Sequence, residues 1–126
     1  MAKGKTSLPF DKRGGVVAIQ RRLLKSPAYL GLSVQAKVLL LQMQVHWRPD
    51  VPVGFGVREA EATVPCSRKT AMNAFNELRE AGFIKLVDDS LFCSRAKSRT
   101  RTWRLTWLPW AYKAPSNEWE QANHEA

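Results

Sequence analysis

The segment from Val57 to Ile84 constrains the fold more tightly than any other part of the chain. A short helix-forming run, Val57 to Thr63, meets Pro65-Cys66, and a longer run from Ser67 to Ala81 is stopped by Gly82. Proline lacks the amide hydrogen that a helix interior needs and disfavours helical backbone in the residue before it, so the two runs cannot be one helix. Gly82 suits the left-handed conformation that closes many helices. The segment therefore reads as two helices joined by a tight turn. In the second helix Ala71, Met72, Phe75 and Leu78 recur at helical spacing and must face a core, which leaves Lys69, Asn73 and Asn76 on the opposite face. Its charge is polarised: Arg68 and Lys69 open the helix, Glu77 and Glu80 close it.

The flanking sequence supplies the rest of a single domain, since 126 residues with 44% hydrophobic content suffice for one core. Val16 to Ile19 is a short β-branched run that predicts a strand, and Gln20 to Ser26 predicts a short helix ended by Pro27. Ser33 is the expected N-cap of a central helix from Val34 to about Trp47, apolar over more than half its circumference. Two prolines and two glycines between Pro49 and Gly56 predict a loop. After Gly82, Phe83 to Val87 reads as a strand, Asp88-Asp89-Ser90 as a turn, and Leu91-Phe92-Cys93 as a second short strand. Ser94 to Arg101 alternates basic with small residues, and strand character resumes from Thr102 to Trp107. The expected organisation is a flexible basic arm (residues 1–15), a domain (16–108) and an aromatic extension (109–126). The aromatics of the extension, Trp110, Tyr112 and Trp119, either wrap back onto the domain or form a protein interface.

Composition narrows the function class. Twenty Lys+Arg against eleven Asp+Glu give a net charge of +9, which favours a polyanionic partner through steering and counterion release. Cys66 and Cys93 lack paired spacing, and with His46 and His124 they offer no short-spaced ligand pair, so neither disulfide framework nor metal site is expected. There is no Ser-His-Asp set, no glycine-rich phosphate loop and no partnered carboxylate pair, so the chain is expected to be a non-enzyme without cofactor. The N-terminus lacks the apolar core of a signal peptide, and the run Val38 to Leu41 is too short for a bilayer. The expected location is the cytoplasm, with no membrane partner.

The candidate site follows from the second helix. Arg68 and Lys69 stand in its first turn, where an arginine can fork onto guanine O6 and N7, and Asn73, one turn on, can pair with adenine. Asn76 continues that face. Ser67 can cap the helix, and the Ser67 and Thr70 hydroxyls can also hold phosphate at its N-terminus. Arg95, Lys97, Arg99 and Arg101, separated by single small residues, would project from one face of a strand or form a cationic loop suited to a phosphate backbone. Arg58 is a further phosphate candidate. Both sets also read as solvated charge on a helix face and on a hairpin edge. Trp47, Trp103 and Trp107 sit in periodic apolar surroundings and read as core.

Three helices followed by a strand hairpin is the order of a winged helix-turn-helix, an α+β fold with a three-helix core and a C-terminal β-hairpin wing. From about Val16 to Trp119 the chain resembles small winged-helix proteins of phages and integrated mobile elements. The resemblance is carried by Arg22 to Ala28 with Leu32-Ser33, by Val57 to Ala60, by Ser67 to Ala71, and by Glu77 to Ile84. Trp103 to Thr106 and Pro115 to Trp119 complete it. The Leu78-x-x-x-Gly82-Phe83-Ile84 segment is shared by most winged helices, and the flanking segments narrow the likeness to the mobile-element group. The resemblance implies binding of double-stranded DNA, as a monomer or homodimer, in transcription regulation, replication or recombination. Asp88-Asp89 departs from a usual basic wing, which moves the expected phosphate contact to Arg95 to Arg101. The alternative is a winged-helix adaptor or phage-encoded inhibitor that binds a host or phage protein through the aromatic segment from Trp107 to Trp119.

Overall fold

The computed structural model describes residues 13–93, 98–111 and 113–120, which form an α+β domain of five helices and one small antiparallel sheet. The order is α1 (Arg21–Leu24), α2 (Pro27–Leu30), α3 (Val34–Val45), β1 (Val53–Gly54), α4 (Val57–Thr63), α5 (Arg68–Glu80), β2 (Ile84–Cys93) and β3 (Ser98–Leu105). Helices α3, α4 and α5 pack together, and the sheet has the order β1-β3-β2. Residues 1–12 of the expected basic arm lie outside the described residues.

Several local expectations are met. Ser33 caps α3, its Oγ accepting from the Ala36 amide at 3.2 Å, and Ser67 caps α5, accepting from Thr70 N at 3.1 Å. Gly82 follows α5 with φ +85°, and α4 is separated from α5 by Val64 to Ser67, with a cis bond before Pro65.

Others are corrected. Val16 to Ile19 is not a strand, and Val16 and Val17 are exposed. The third strand comes from Val53–Gly54, inside the segment expected to be loop, where Val53 pairs with Trp103 and Gly54 with Thr102. A two-residue strand is too short to show the alternation by which a strand is read. Pro27 does not merely end a helix; it occupies the first turn of α2, where its missing amide costs no hydrogen bond, and Ser26 caps that turn by accepting from Tyr29 N at 3.1 Å. Asp88-Asp89-Ser90 is not a turn. Strand β2 runs through it, and its register against β3 slips twice, between Leu86 and Asp88 and between Asp88 and Leu91. Extra residues on one strand are absorbed as bulges, so polar residues that favour turns need not end the strand.

The core is drawn from every layer. Leu23, Leu39, Leu40, Met43, Phe55, Phe75, Leu78, Phe83, Trp103 and Leu105 are buried, as are Trp107 and Trp119. Helix α3 differs from its expected enclosure. Ala36, Leu39, Leu40 and Met43 enter the core, whereas Val34, Leu41 and Val45 are 69%, 38% and 54% exposed on the opposite side.

The extension closes over the end of α5. Asn117 N donates to Thr106 O at 2.8 Å, Thr106 Oγ donates to Gly82 O at 2.6 Å, and Trp119 stacks on Phe83 with centroids 5.8 Å apart. Arg22 lies over the Trp119 ring, 5.0 Å from its centroid, and pairs with Glu120; Lys85 pairs with Glu118 at 3.4 Å. The backbone of Glu118 and Trp119 approaches Gly82 so closely that an added Cβ would lie 2.9 Å from three backbone atoms. Gly82→Ala is therefore expected to destabilise the domain by more than about 1 kcal/mol, because it adds left-handed strain to a clash with backbone that cannot rotate away. Trp119→Ala should cost about 3–5 kcal/mol. Urea unfolding followed by tryptophan fluorescence and far-UV circular dichroism measures both.

Candidate nucleic-acid interface

Helix α5 is held by contacts that leave one face free. Ala71, Ala74, Phe75 and Leu78 pack inward. Phe75 stacks on Trp103 of β3, centroids 5.2 Å apart and planes 13° from parallel, and Trp103 Nε1 donates to Phe55 O at 2.9 Å. Arg79 lies over the same indole, 5.8 Å from its centroid. Trp103 thereby joins the sheet to the helix.

The outward face carries the expected residues. Arg68, Lys69, Asn73 and Asn76 are exposed, and none of their side chains makes a hydrogen bond or ion pair with a described residue. Four unpartnered donors on one helix face are available to an external ligand. Ser67 and Thr70 are partly committed, since Ser67 Oγ donates to Thr70 Oγ1 at 3.0 Å while accepting from the Thr70 amide. Both stand at the positive end of the helix dipole.

Met72 is a correction. It is 43% exposed and belongs to the outward face between Arg68 and Asn76, while Ala74 takes the core position. Sequence spacing assigned it to the core because methionine is apolar; the orientation of the helix, set by the Phe75–Trp103 stack, decides otherwise. An exposed methionine beside arginine and asparagine can pack against a thymine methyl.

Glu77 explains how an acidic residue is kept from that face. Its carboxylate turns toward α3, accepting from Ser33 N at 2.8 Å and from Ser33 Oγ at 2.7 Å. A carboxylate at a helix N-terminus satisfies free amides and complements the dipole. The acid expected only to close α5 is thus a clamp between α5 and α3.

The strand residues are divided. Arg99 and Arg101 lie on β3, not in a loop, and Arg95 and Lys97 fall outside the described residues. Arg101 is two residues from Trp103 and on the same side of the strand, and its carbonyl accepts from Phe55 N at 3.0 Å. Thr100 lies against the start of α4, where a Cβ at Gly56 would meet its Oγ1 at 2.6 Å. This approach brings β3 beside the first turn of α4, where Arg58 is exposed.

The aromatic extension wraps back onto the domain through Trp119. Trp119 is 1% exposed and is a core residue, so it is unavailable to a partner. Trp110 is half-buried with Arg104 over its ring at 5.5 Å, and Tyr112 falls outside the described residues. Among the described residues no group of His, Cys, Asp and Glu could hold a metal ion, and no helix is long and apolar enough to cross a membrane.

Comparison with protein-family models, with curated proteins and with solved structures gives no match.

The clamp separates structural from exposed charge on α5. Glu77→Ala, which strands the Ser33 amide and hydroxyl at a half-buried position, is expected to lower stability by about 1–3 kcal/mol. Glu80→Ala, at an exposed position of the same helix, should change stability by no more than about 0.5 kcal/mol. Paired urea titrations distinguish the two.

Proposed function

We propose that this chain is a winged helix-turn-helix protein that binds double-stranded DNA sequence-specifically and acts by binding, not catalysis. Helix α5 enters the major groove with Arg68, Lys69, Met72, Asn73 and Asn76, and the β2–β3 hairpin is the wing that approaches the phosphate backbone through Arg99, Arg101 and neighbouring bases. The observation that carries the reading is the outward face of α5, where arginine, lysine and two asparagines stand exposed without protein partners. These are the side chains that read guanine and adenine edges. The net charge of +9 supplies the non-specific attraction such docking needs, and the turn of Glu77 toward α3 removes a carboxylate that would repel phosphate. The resemblance to winged-helix proteins of phages and mobile elements points to transcription regulation, replication or recombination as the setting. A protein-binding role through the C-terminal aromatics is less well supported, because Trp119 is spent in the core.

Fluorescence anisotropy with duplex DNA at several salt concentrations tests the proposal. If about five to seven phosphates are neutralised, the logarithm of affinity should fall against the logarithm of salt with a slope of roughly −5 to −6. Arg68→Ala/Lys69→Ala should weaken binding and make that slope shallower. Asn73→Ala should leave the slope nearly unchanged while relaxing base preference by about 1–3 kcal/mol at one position of a selected site. Absence of binding at low salt, or binding indifferent to salt, would remove DNA as the partner.

A further inference from the structure

A buried polar atom without a hydrogen-bond partner is costly, and among the described residues there are three: Thr102 Oγ1, Arg104 Nε and Trp110 Nε1. They are gathered in one region. Thr102 and Arg104 flank Trp103 on β3, and because Trp103 faces α5, its two neighbours project from the other side of the sheet. Trp110 lies on that side too, with the Arg104 guanidinium 5.5 Å from its ring centroid. Thr102 is 3% exposed, so its hydroxyl has no route to bulk solvent.

The chemistry of the three groups is complementary to an oxyanion. The guanidinium and indole nitrogens can only donate, and the threonine hydroxyl can donate as well. Arg104 is half-buried and makes no ion pair with a described residue, while its Nη2 donates to Ala114 O at 3.4 Å. Water can meet the donors but leaves the charge uncompensated, whereas an anion meets both. Lys85, opposite Arg104 on β2, is neutralised by Glu118, and Lys113, in the turn that carries Trp110, is exposed. Asp88, opposite Thr102, is exposed, where solvent and salt screen its charge. Three donors from a strand and a turn suit a tetrahedral oxyanion, which offers acceptor oxygens in several directions, better than a planar carboxylate. Arg104 and Trp110 are each half-buried, so a small shift of the indole admits an ion without opening the core.

We propose that Thr102, Arg104 and Trp110 form a binding site for a phosphate-class oxyanion on the side of the sheet away from α5. The guanidinium supplies the charge and one donor, the indole a second donor and the hydroxyl a third. Such a phosphate is either a free ion or part of a DNA backbone, two sources of the same chemistry. The inference does not depend on what α5 binds.

Proton–nitrogen correlation spectra of the full chain, in which each of the five tryptophans contributes an indole resonance, test it. Trp110→Phe keeps a ring, removes the donor and so assigns the Trp110 signal. Titration with inorganic phosphate is expected to shift that signal saturably, and chloride at the same ionic strength should not. Arg104→Gln should weaken phosphate binding at least roughly tenfold through loss of a charge-assisted hydrogen bond. Thr102→Val keeps the side-chain shape, removes the hydroxyl and should weaken binding about threefold or more with an unchanged circular dichroism spectrum, which keeps the test decisive if Arg104→Gln does not fold. A short DNA duplex titrated in parallel identifies the source: a Thr102-dependent shift with the duplex assigns a backbone phosphate, and a shift with inorganic phosphate alone assigns the free ion. No saturable shift with either, or a shift indifferent to Thr102→Val and Arg104→Gln, would overturn the inference.

Discussion

The stack of Phe75 on Trp103 is the contact on which the arrangement of this domain depends. Trp103 sits in the central strand, pairs with Val53 on one side and Leu86 on the other, and donates its indole hydrogen to Phe55. One buried ring thereby ties the sheet to the loop before α4 and to the middle of α5. An indole buries a large apolar area while satisfying its single polar group, so it can serve as both packing unit and hydrogen-bonded anchor. The rotation of α5 about its own axis follows from that stack, and with it the identity of the residues that face outward.

The two ends of α5 are held by different means. At its start Ser67 caps the helix by accepting from the Thr70 amide, and Arg68, Lys69 and Asn73 stay exposed. Toward its end Glu77 reaches the N-terminus of α3, and Gly82 admits the C-terminal segment at a distance that no side chain would permit. Stabilising contacts are concentrated away from the exposed half, so the polar residues of that half are free of structural duties. The exposed face can accept substitutions without loosening the core.

Much of the candidate site was legible in the sequence, for a physical reason. Capping, helical periodicity and the glycine stop are local effects, and they place Arg68, Lys69, Asn73 and Asn76 on one face without knowledge of any partner element. The strands were less legible. Val53–Gly54 is a strand only because Trp103 and Thr102 pair with it, and the Asp88-Asp89-Ser90 run continues β2 only because bulges accommodate it against β3. Non-local pairing overrode local turn preference in both places. Met72 was misread and the partner of Glu77 was not legible for a related reason: residue type suggested core for Met72 and named no partner for Glu77, whereas the direction of each side chain was set by what α5 packs against.

The sequence by itself determined the two helices and their turn, the polarity of charge along α5, and the excess of base that favours a polyanionic partner. These depend on neighbours a few residues away or on composition. The tertiary structure alone decided that Trp119 is core, that Glu77 joins α5 to α3, that Met72 faces outward, and that Val34, Leu41 and Val45 of α3 are exposed. Each of those depends on residues distant in the chain, Phe83 and Arg22 for Trp119 and Ser33 for Glu77. Long-range packing chooses between the two faces of an apolar helix, because hydrophobic burial has no direction of its own and follows whichever surface the rest of the fold brings against it.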